Sequence, residues 1–336
     1  MSTILNDQHQ RPLRDLRISV IDRCNFRCPY CMPVERFGGP AAFMPKAEWL
    51  GPAEIERVAR AFVGLGVRKL RLTGGEPLLR AELIEIVERL ARIEGIEDLA
   101  LTTNAVLLPR HAHALRRAGL HRLTISLDAL DPAVFRRMSG GQGEVADVLE
   151  AVAAAEQAGF ARIKFNCVVQ RGVNEDEVLP LVAHFRGTPH VVRFIEYMDV
   201  GTCNRWSRAE VVDSSEVLAR ITARWSMSPI GRMQRGDVAE RYRFDDGQGE
   251  VGFISSVSAP FCGDCTRARI SADGELFTCL FAARGVPLRP LLAGDDDALL
   301  QTIAARWSGR ADRYSELRAE REREAAGRIE MFRMGG

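Results

Sequence analysis

Apolar runs alternate with amphipathic segments over the first two thirds of the chain. Six runs rich in Val, Ile, Leu and Thr predict strands that are buried on both faces, as in a parallel sheet. They cover residues 15–21, 69–73, 99–103, 122–127, 162–169 and 191–196. Apolar residues at helical spacing predict helices between these strands. These helices cover residues 52–65, 81–93, 144–157 and 176–185, with a further short helix that begins at Asp131-Pro132.

Six strand–helix units predict an α/β fold with right-handed crossovers. A closed barrel of eight units typically needs about 250 residues, so six units predict an incomplete (β/α)6 TIM-type barrel. Beyond residue 199 the pattern instead predicts a C-terminal α+β domain. Its strands cover 239–244 and 250–257, its helices cover 213–225, 295–306 and 315–326, and a loop covers 231–237. The predicted division is 1–225 and 226–336, with a soft boundary at 215–235.

Composition and charge exclude several classes of protein. Hydrophobic residues make up 46% of the 336 residues and charged residues 27%, which is typical of a globular protein and not of a disordered one. The net charge of +1 gives no sign of a nucleic-acid binder. No apolar run is long enough to span a membrane, and residues 1–6 lack the features of a signal peptide. We therefore expect a cytoplasmic protein.

Eight cysteines in a reducing compartment indicate metal ligands or catalysts rather than disulfides. Cys24, Cys28 and Cys31, here called the first trio, have the spacing C-x3-C-x2-C directly after the first predicted strand. Loops at the carboxyl ends of parallel strands are where active sites form. Three thiolates leave one position open on an iron–sulfur cluster. The alternatives are three buried cysteines or a zinc site with a distant fourth ligand.

Residues 73–77, Thr-Gly-Gly-Glu-Pro, follow the second predicted strand. Glycines allow a backbone to approach a ligand closely, although an ordinary strand-to-helix turn would also explain them. Cys262, Cys265 and Cys279, here called the second trio, have the spacing C-x2-C-x13-C. Three ligands without a local fourth again indicate a cluster with an open iron, and a zinc knuckle with a borrowed ligand is the alternative.

Cationic residues gather on the predicted strands, where charge is unusual. Arg267 and Arg269 lie two residues apart, so a strand would point both to one face. Guanidinium groups there suit phosphate or carboxylate. Further cations on strands are Arg17, Lys69, Arg71, Lys164 and Arg193, which include two of the three lysines in the chain. An inner wall of such charges would require an anion such as a triphosphate, whereas outward-facing charges would pair with helix acids.

Together these motifs resemble the GTP 3′,8-cyclase family of the radical S-adenosylmethionine superfamily. The first trio carries the superfamily signature, with an aromatic residue before the last cysteine. The resemblance extends from about Arg11 to Gly336 and includes the segments 16–33, 101–104, 126–128 and 193–198. Two positions depart from the family pattern: Gln10 stands where Gly is usual, and Met334 precedes the terminal glycines where Ile is more common.

The resemblance implies two 4Fe–4S clusters, one on each trio, and S-adenosylmethionine as a cofactor. It implies that S-adenosylmethionine is bound by Tyr30, Gly75, Ser126 and Met198. It implies that GTP is bound by Arg17, Lys69, Arg71, Thr102, Lys164, Arg267, Ala268 and Arg269. It assigns catalytic parts to the first trio, to Arg193 and to the tail residues Gly335 and Gly336. Cys167 and Cys203 would be incidental.

The implied reaction cleaves S-adenosylmethionine reductively to a 5′-deoxyadenosyl radical, which removes hydrogen from C3′ of GTP so that C3′ bonds to C8 of guanine. The implied partners are GTP, an electron donor such as flavodoxin or ferredoxin, and the downstream cyclic pyranopterin monophosphate synthase. A monomer or a homodimer is compatible with the sequence. The main alternative is a radical S-adenosylmethionine maturase that modifies peptides. A cluster- or zinc-binding regulator and a Gly-Gly carrier protein are weaker hypotheses.

Overall fold

The computed structural model describes residues 5–39, 42–232, 236–318 and 328–335. The strands in these ranges are β1 Asp15–Ser19, β2 Lys69–Thr73, β3 Asp98–Thr103, β4 Arg122–Ser126, β5 Lys164–Val169, β6 Val191–Glu196, β7 Met227–Pro229, β8 Glu240–Phe244, β9 Glu250–Ile254, β10 Arg267–Ile270, β11 Glu275–Phe277 and β12 Val286–Pro287. The helices are α1 Val34–Phe37, α2 Pro52–Gly64, α3 Leu83–Ala91, α4 Ala112–Arg117, α5 Pro132–Ser139, α6 Val145–Gln157, α7 Val178–Phe185, α8 Ser214–Thr222, α9 Asp296–Ser308 and α10 Met331–Met334.

One sheet contains all of these strands, in the order β12-β11-β10-β1-β2-β3-β4-β5-β6-β9-β8-β7. The eight central strands, from β10 to β9, are mutually parallel. Antiparallel pairs occur only toward the two ends of the described sheet. The predicted α/β class with a parallel sheet is confirmed.

The alternation of residues along the strands separates the hydrophobic core from a polar face. On β2, Leu70 and Leu72 are buried in the core, whereas Lys69 and Arg71 remain partly accessible. On β1, Arg17 lies between the buried Leu16 and Ile18 in the same way. Successive side chains of a strand point to opposite faces, so these cations share one face of the sheet. Apolar helix faces cover the other face.

The six predicted strands of the first two thirds are all present, and β2 and β6 have the predicted bounds. The predicted helices in the same region also form, with ends that differ by one or two residues. The helix predicted at 315–326 falls mostly on residues 319–327, outside the described residues, and residues 315–317 form a turn. The predicted loop at 231–237 includes 233–235, which likewise lie outside the described residues. Among the described helices, none is long and apolar enough to cross a membrane.

The sequence pattern does not indicate how β9 and β10 join the sheet. Strand β10 pairs in parallel with β1, and β9 pairs in parallel with β6. The register places Arg267 opposite Asp15 and Arg269 opposite Arg17. Since these residues are about 250 positions apart, local pattern cannot specify the pairing. The consequence is that cations from both ends of the chain face the same space.

Candidate active site

The first trio lies in the loop that follows β1. Tight turns fold this loop back on itself: the amides of Cys31 and Met32 donate to the carbonyl of Cys28 at 3.0 and 2.8 Å. The Phe26 amide points toward Cys24 Sγ at 3.3 Å. Arg27 donates to the Cys24 carbonyl at 2.7 Å. The loop therefore holds three partly accessible, unoxidised thiols close together at the carboxyl end of a parallel strand.

The chemistry of this donor set fits a cationic cluster. Burial and the neighbouring Glu76 carboxylate raise the pKa of Cys24 to about 12. Burial and the other two thiols of the trio raise the pKa of Cys28. Burial and Cys24 likewise raise the pKa of Cys31. Thiolates that repel one another in a desolvated loop are stabilised by a positively charged group that binds all three.

The turn at residues 73–77 holds this loop in position. A Cβ on Gly74 would overlap the Ile21 carbonyl, and one on Gly75 would overlap the Arg23 carbonyl. The Gly75 amide instead donates to the Ile21 carbonyl at 2.8 Å. The Gly74 φ of +146° also favours glycine. The two glycines therefore allow the β2 turn to pack directly against the backbone that leads into the first trio.

The carboxylate of Glu76 fixes the end of β3 against the same turn. It accepts hydrogen bonds from the Thr103 hydroxyl at 2.7 Å and from the amides of Asn104 and Leu78 at 2.8 and 2.9 Å. Burial raises its pKa to about 7, and these three bonds oppose that rise. Asn104 in turn points its amide nitrogen toward Cys24 Sγ at 3.9 Å. The turn and the loop of the first trio thus form one packed unit.

Tyr30 connects the first trio to the end of β4. Its hydroxyl donates to Asp128 Oδ2 at 2.8 Å, and the Val168 amide donates to Asp128 Oδ1 at 2.8 Å. Burial raises the pKa of Asp128 to about 6. Ser126 is the last residue of β4 and lies opposite Asn166 of β5. Tyr30 and Ser126 therefore lie at the carboxyl end of the parallel strands, on the side of the first trio.

A cavity of about 860 Å³ lies against the polar face of the sheet. Among the described residues, twelve Lys or Arg and six Asp or Glu line it, so its walls carry excess positive charge. This excess favours the binding of an anion, because a concave, low-dielectric surface concentrates the field of its charges. Such a volume also suits a ligand of nucleotide size, within the usual range for small-molecule sites.

The cations of this cavity differ in the partners they already have. Arg71 donates to the hydroxyls of Thr102 and Thr124 at 3.0 and 2.9 Å. Arg193 donates to Asn166 Oδ1 at 2.6 Å. Within the described part of the chain, the Arg17 side chain has no hydrogen bond or ion pair. Burial and the nearby Arg269 lower its pKa. Guanidinium groups without anionic partners leave this wall available to an external anion.

The two cavity lysines are also incompletely neutralised. Lys69 Nζ lies 3.9 Å from Asp237 Oδ1, a distance that allows only a weak ion pair. Burial, Arg193 and Arg122 lower the pKa of Lys164 to about 7. A cation whose pKa is depressed by its neighbours gains most from an added negative charge.

The second trio lines the same cavity. Arg267 donates to Cys265 Sγ at 3.3 Å. Burial acts to raise the pKa of Cys265, but Arg267 and Arg310 lower it to about 6. Burial and Asp312 raise the pKa of Cys279 to about 12. Here cations stabilise a thiolate directly, so the donor set also fits a thiolate-bound cluster. No three His, Cys, Asp or Glu groups in the described ranges are arranged to hold a single metal ion.

Gly335 lies between the turn of β2, which packs against the loop of the first trio, and the cationic wall of the cavity. Arg269 Nη1 donates to its carbonyl, and a Cβ on Gly335 would overlap Thr73 Cγ2, directly before the turn of β2. Its φ of +70° also favours glycine. Phe332 packs with Met32 behind the loop of the first trio. The described end of the chain therefore contacts both the loop of the first trio and the cationic wall.

The structure brings one group of the predicted site residues together around the cavity. Its members are Arg17, Lys69, Arg71, Thr102, Lys164, Arg193, Met198, Arg267, Arg269 and the second trio. The first trio, Tyr30, Gly75, Ser126 and Gly335 are not among the lining residues. Ala268 is fully buried in the hydrophobic core. Gly336 lies outside the described residues, and the unassigned Cys167 and Cys203 are buried free thiols.

Sequence reasoning missed several polar residues that hold the site residues. Asn166 and Thr124 orient Arg193 and Arg71, and Asp128 orients Tyr30. Glu196 accepts the amides of Val257 and Ser258 at 2.7 and 2.8 Å and so fastens the end of β6. Polar residues within predicted buried strands, or directly at their ends, were the available signal. Their partners depend on strand order, which the sequence pattern does not specify.

Family models match most of the chain. The model for the Radical SAM superfamily matches residues 18–185, and the model for Molybdenum Cofactor Synthesis C matches residues 190–316. A GTP 3′,8-cyclase from Xanthomonas axonopodis pv. citri (strain 306) is 59% identical over 100% of both chains. The chain belongs to the GTP 3′,8-cyclase family. Membership of the radical S-adenosylmethionine superfamily implies a 4Fe–4S cluster and S-adenosylmethionine.

More distant relatives agree with this assignment. The GTP 3′,8-cyclase from Acidothermus cellulolyticus (strain ATCC 43068 / DSM 8971 / 11B) is 52% identical over 95% of this chain and 90% of its own. That from Staphylococcus epidermidis (strain ATCC 12228 / FDA PCI 1200) is 42% identical over 100% of both. The structure of Streptococcus suis SuiB bound to S-adenosylmethionine has a TM-score of 0.61 at 15% identity, over 89% of this chain and 69% of that one. This likeness concerns the fold alone.

Proposed function

We propose that this chain converts GTP to (8S)-3′,8-cyclo-7,8-dihydroguanosine 5′-triphosphate, the first step of molybdenum cofactor biosynthesis. The observation that carries the proposal is the cavity in which Arg17, Lys69, Arg71 and Lys164 face the second trio. A triphosphate supplies the negative charge that this wall lacks. Family membership supports the same substrate.

In this proposal, residues of three adjacent strands on one face of the sheet hold the triphosphate. Arg17 and Arg71 of β1 and β2 face Arg267 and Arg269 of β10, so phosphate oxygens would be contacted from adjacent strands. Guanidinium groups bind phosphate with two parallel hydrogen bonds. Arg71 is already oriented by Thr102, which reduces the entropy lost on binding. Ala268 would contribute only through the backbone, because its side chain is in the core.

The first trio would hold the cluster of the superfamily. When bound, this cluster and S-adenosylmethionine supply reductive formation of a 5′-deoxyadenosyl radical, which abstracts hydrogen from C3′ of the ribose. Tyr30, Gly75, Ser126 and Met198 would orient the cofactor. Three of these lie near the first trio, and Met198 lines the cavity, so the cofactor site would open toward the nucleotide.

The second trio would hold a second 4Fe–4S cluster next to the base of GTP. Two features support it: its three thiols are free, and Arg267 and Arg310 already stabilise a thiolate at Cys265. Arg193 and the tail would act between the two sites. Gly335 contacts both Thr73 and Arg269, and Gly336 would extend the tail toward the substrate.

We extend the proposal to the shape of the sheet, the domain bounds, the partners and the compartment. Side chains of β1, β2, β5 and β6 share one cavity, which supports a sheet curved into an incomplete (β/α)6 barrel. The barrel domain would cover 1–225, and the domain with the second trio 226–336. The reductant would be flavodoxin or ferredoxin, and the product would pass to cyclic pyranopterin monophosphate synthase. The compartment would be the cytoplasm.

The test is the production of 5′-deoxyadenosine by anaerobically reconstituted protein, with S-adenosylmethionine and a reductant. Parallel reactions contain GTP, ATP or no nucleotide, and iron is counted in each sample. We expect about eight irons per chain, as two 4Fe–4S clusters require, and stimulation by GTP alone. Cleavage that is indifferent to GTP would contradict the proposed substrate while keeping the superfamily chemistry. The peptide-modifying alternative would then return, although family membership does not favour it.

A further inference from the structure

A buried arginine in the N-terminal segment contacts the backbone of the second trio. Arg11 is fully buried, and its Nη1 donates to the carbonyls of Cys262 and Asp312, both at 2.7 Å. Its Nε donates to Asp7 Oδ2 at 2.5 Å, and its amide donates to Asp7 Oδ1 at 3.0 Å. One guanidinium therefore ties the N-terminal segment to two others, which lie 251 and 301 residues further along the chain.

A second buried arginine contacts the next cysteine of the trio. Arg310 Nη1 donates to the Cys265 carbonyl at 2.7 Å and lies 3.4 Å from Asp7 Oδ2. The Thr278 hydroxyl, next to Cys279, donates to Asp312 Oδ2 at 2.5 Å. Each cysteine of the second trio is thus linked, through its own carbonyl or its neighbour, to this network of two arginines and two aspartates.

General stabilisation is a poor explanation for this network. Buried ion pairs lose solvation that their attraction only partly restores, and well-packed apolar residues often stabilise a core as well. Arg11 Nη2 is buried without a hydrogen-bond partner in the described residues, so part of this cost remains. Besides the bonds to Asp7, the satisfied donors of the two arginines point at the carbonyls of Cys262, Cys265 and Asp312. The arrangement has the form of an outer shell that orients ligand residues.

We infer that Asp7, Arg11, Arg310 and Asp312 are positioning residues that hold the backbone of the second trio in the conformation that binds a cluster. The inference rests on the proposed second cluster. It also assigns a role to Asp7 and Arg11 of the N-terminal segment, which do not themselves line the cavity. Hydrogen bonds to ligand backbones fix ligand geometry, and their loss typically reduces metal affinity about 10- to 100-fold.

The test uses full-length protein that can bind only the second cluster. This second-trio chain carries Cys24→Ala, Cys28→Ala and Cys31→Ala. Arg11→Met is added to it, because Met retains much of the volume but no donor. The matched control is Arg80→Met. Arg80 is also buried, at 4% exposure, and donates to two backbone carbonyls, those of Val20 and Leu50 at 3.1 and 2.9 Å, away from the second trio.

We expect the second-trio chain to bind about four irons after reconstitution. With Arg11→Met, iron should be lost to a chelator about 10- to 100-fold faster, and the electron paramagnetic resonance spectrum of the reduced cluster should change. Arg11→Lys should restore part of the retention, because an ammonium can still donate to one carbonyl. Arg80→Met should leave spectrum and retention unchanged. Melting temperatures of the metal-free variants show which of them remain folded.

The possible failures can be told apart. If the second-trio chain binds no iron, the proposed second cluster is wrong, and the inference falls with it. If it binds iron and Arg11→Met retains the cluster and its spectrum, only the inference is wrong. Equal losses with Arg11→Met and Arg80→Met would indicate a general effect of stability and would also overturn it. If Arg11→Met does not fold, Arg11→Lys and Asp7→Asn replace it, and the same criteria apply.

Discussion

The two cysteine trios offer the same donors in different electrostatic surroundings, although one thiol of the second trio, Cys279, has a raised pKa like the thiols of the first. The first trio occupies one eight-residue loop, where burial, the other thiols and Glu76 raise the thiol pKa values. The second trio spans eighteen residues and lies among arginines that lower the pKa of Cys265 to about 6. Both trios offer three cysteines without a local fourth ligand, but their surroundings differ in charge.

This difference suggests a division of labour. Cysteines whose thiol pKa values are raised are electron-rich donors, which suits a cluster that gives up an electron to a bound cofactor. A trio beside a cationic cavity is suited to a cluster that receives an anionic substrate. Potentials of iron–sulfur clusters depend on net charge, hydrogen bonds to sulfur and exposure, which are the properties that differ here. The following predictions test the division, from the largest expected effect to the smallest.

Removal of the first trio and removal of the second should affect different steps of the reaction. With Cys24→Ala, Cys28→Ala and Cys31→Ala, production of 5′-deoxyadenosine should fall to background, because the cofactor loses its reductant. With the second trio changed to Ala instead, slow cleavage should persist but no longer respond to GTP. Chromatographic quantification of 5′-deoxyadenosine with and without GTP distinguishes these outcomes. A GTP response that survives loss of the second trio would contradict the division.

Arg17→Met should weaken GTP binding without affecting either cluster. Arg17 has no partner among the described residues, so a phosphate would supply its first charged hydrogen bond, worth about 1.5–3 kcal/mol or about 10- to 100-fold in Kd. Lys69→Ala should cost less, because Asp237 already lies 3.9 Å from its Nζ. Arg68→Met is the matched control, since Arg68 donates to the Val63 and Val67 carbonyls and does not line the cavity. Equal losses for Arg17→Met and Arg68→Met would contradict the account.

Lys164 should make GTP binding depend on pH. Its pKa in the free protein is about 7, so the side chain loses its charge above that pH, whereas a bound triphosphate would keep it protonated. Binding should therefore take up a proton, and Kd should rise by up to about tenfold per pH unit above about 7. Calorimetry in two buffers of different ionisation enthalpy measures the uptake. In Lys164→Met, the rise of Kd with pH should disappear. If it persists in this variant, another group causes the pH dependence.

The lowered pKa of Lys164 also makes the stability of the folded protein depend on pH. An unfolded lysine stays protonated up to about pH 10.4, whereas Lys164 in the folded protein releases its proton near pH 7. The unfolded state therefore binds more protons between these values, and the contribution of Lys164 to stability rises with pH across this interval. In Lys164→Met, the free energy of unfolding should therefore rise less with pH across this interval.

Gln10→Gly should give a small gain in stability near the second trio. Gln10 has a φ of 57°, a left-handed conformation in which a side chain costs about 1–2 kcal/mol. It lies in the turn between Asp7 and Arg11, where the Gln10 amide donates to the Asp7 carbonyl at 3.0 Å. Because glycine is more flexible when unfolded, we expect a net gain of about 0.5–1 kcal/mol. Denaturant titration measures it, and Gln10→Ala should show none.

Local sequence features predicted the parts of the molecule that depend on neighbouring residues. The strands β2 and β6 have the predicted bounds, because their apolar residues recur over a short run that the sequence delimits clearly. The spacing of Arg267 and Arg269 correctly predicted that both face one side, since alternation along a strand is local. The first trio and the turn at residues 73–77 were found because their spacing is short and specific.

Long-range contacts account for what the sequence could not predict. The parallel pairing of β10 with β1 joins residues about 250 positions apart, and it decides that Arg269 faces Arg17. The contact between Arg11 and Cys262 has the same origin. An isolated Asp7 or Arg11 near the N-terminus gives no signal of burial. The assignment of Gly75 to a ligand also missed a second reason for that glycine, its packing against the Arg23 backbone.

The most direct test of the division compares the second-trio chain with its counterpart, in which Cys262, Cys265 and Cys279 are changed to Ala. Both are reduced, and electron paramagnetic resonance spectra are recorded alone, with S-adenosylmethionine and with GTP. The account predicts that S-adenosylmethionine perturbs only the cluster of the first trio and that GTP perturbs only the cluster of the second. A perturbation of the first cluster by GTP, with none of the second, would contradict it.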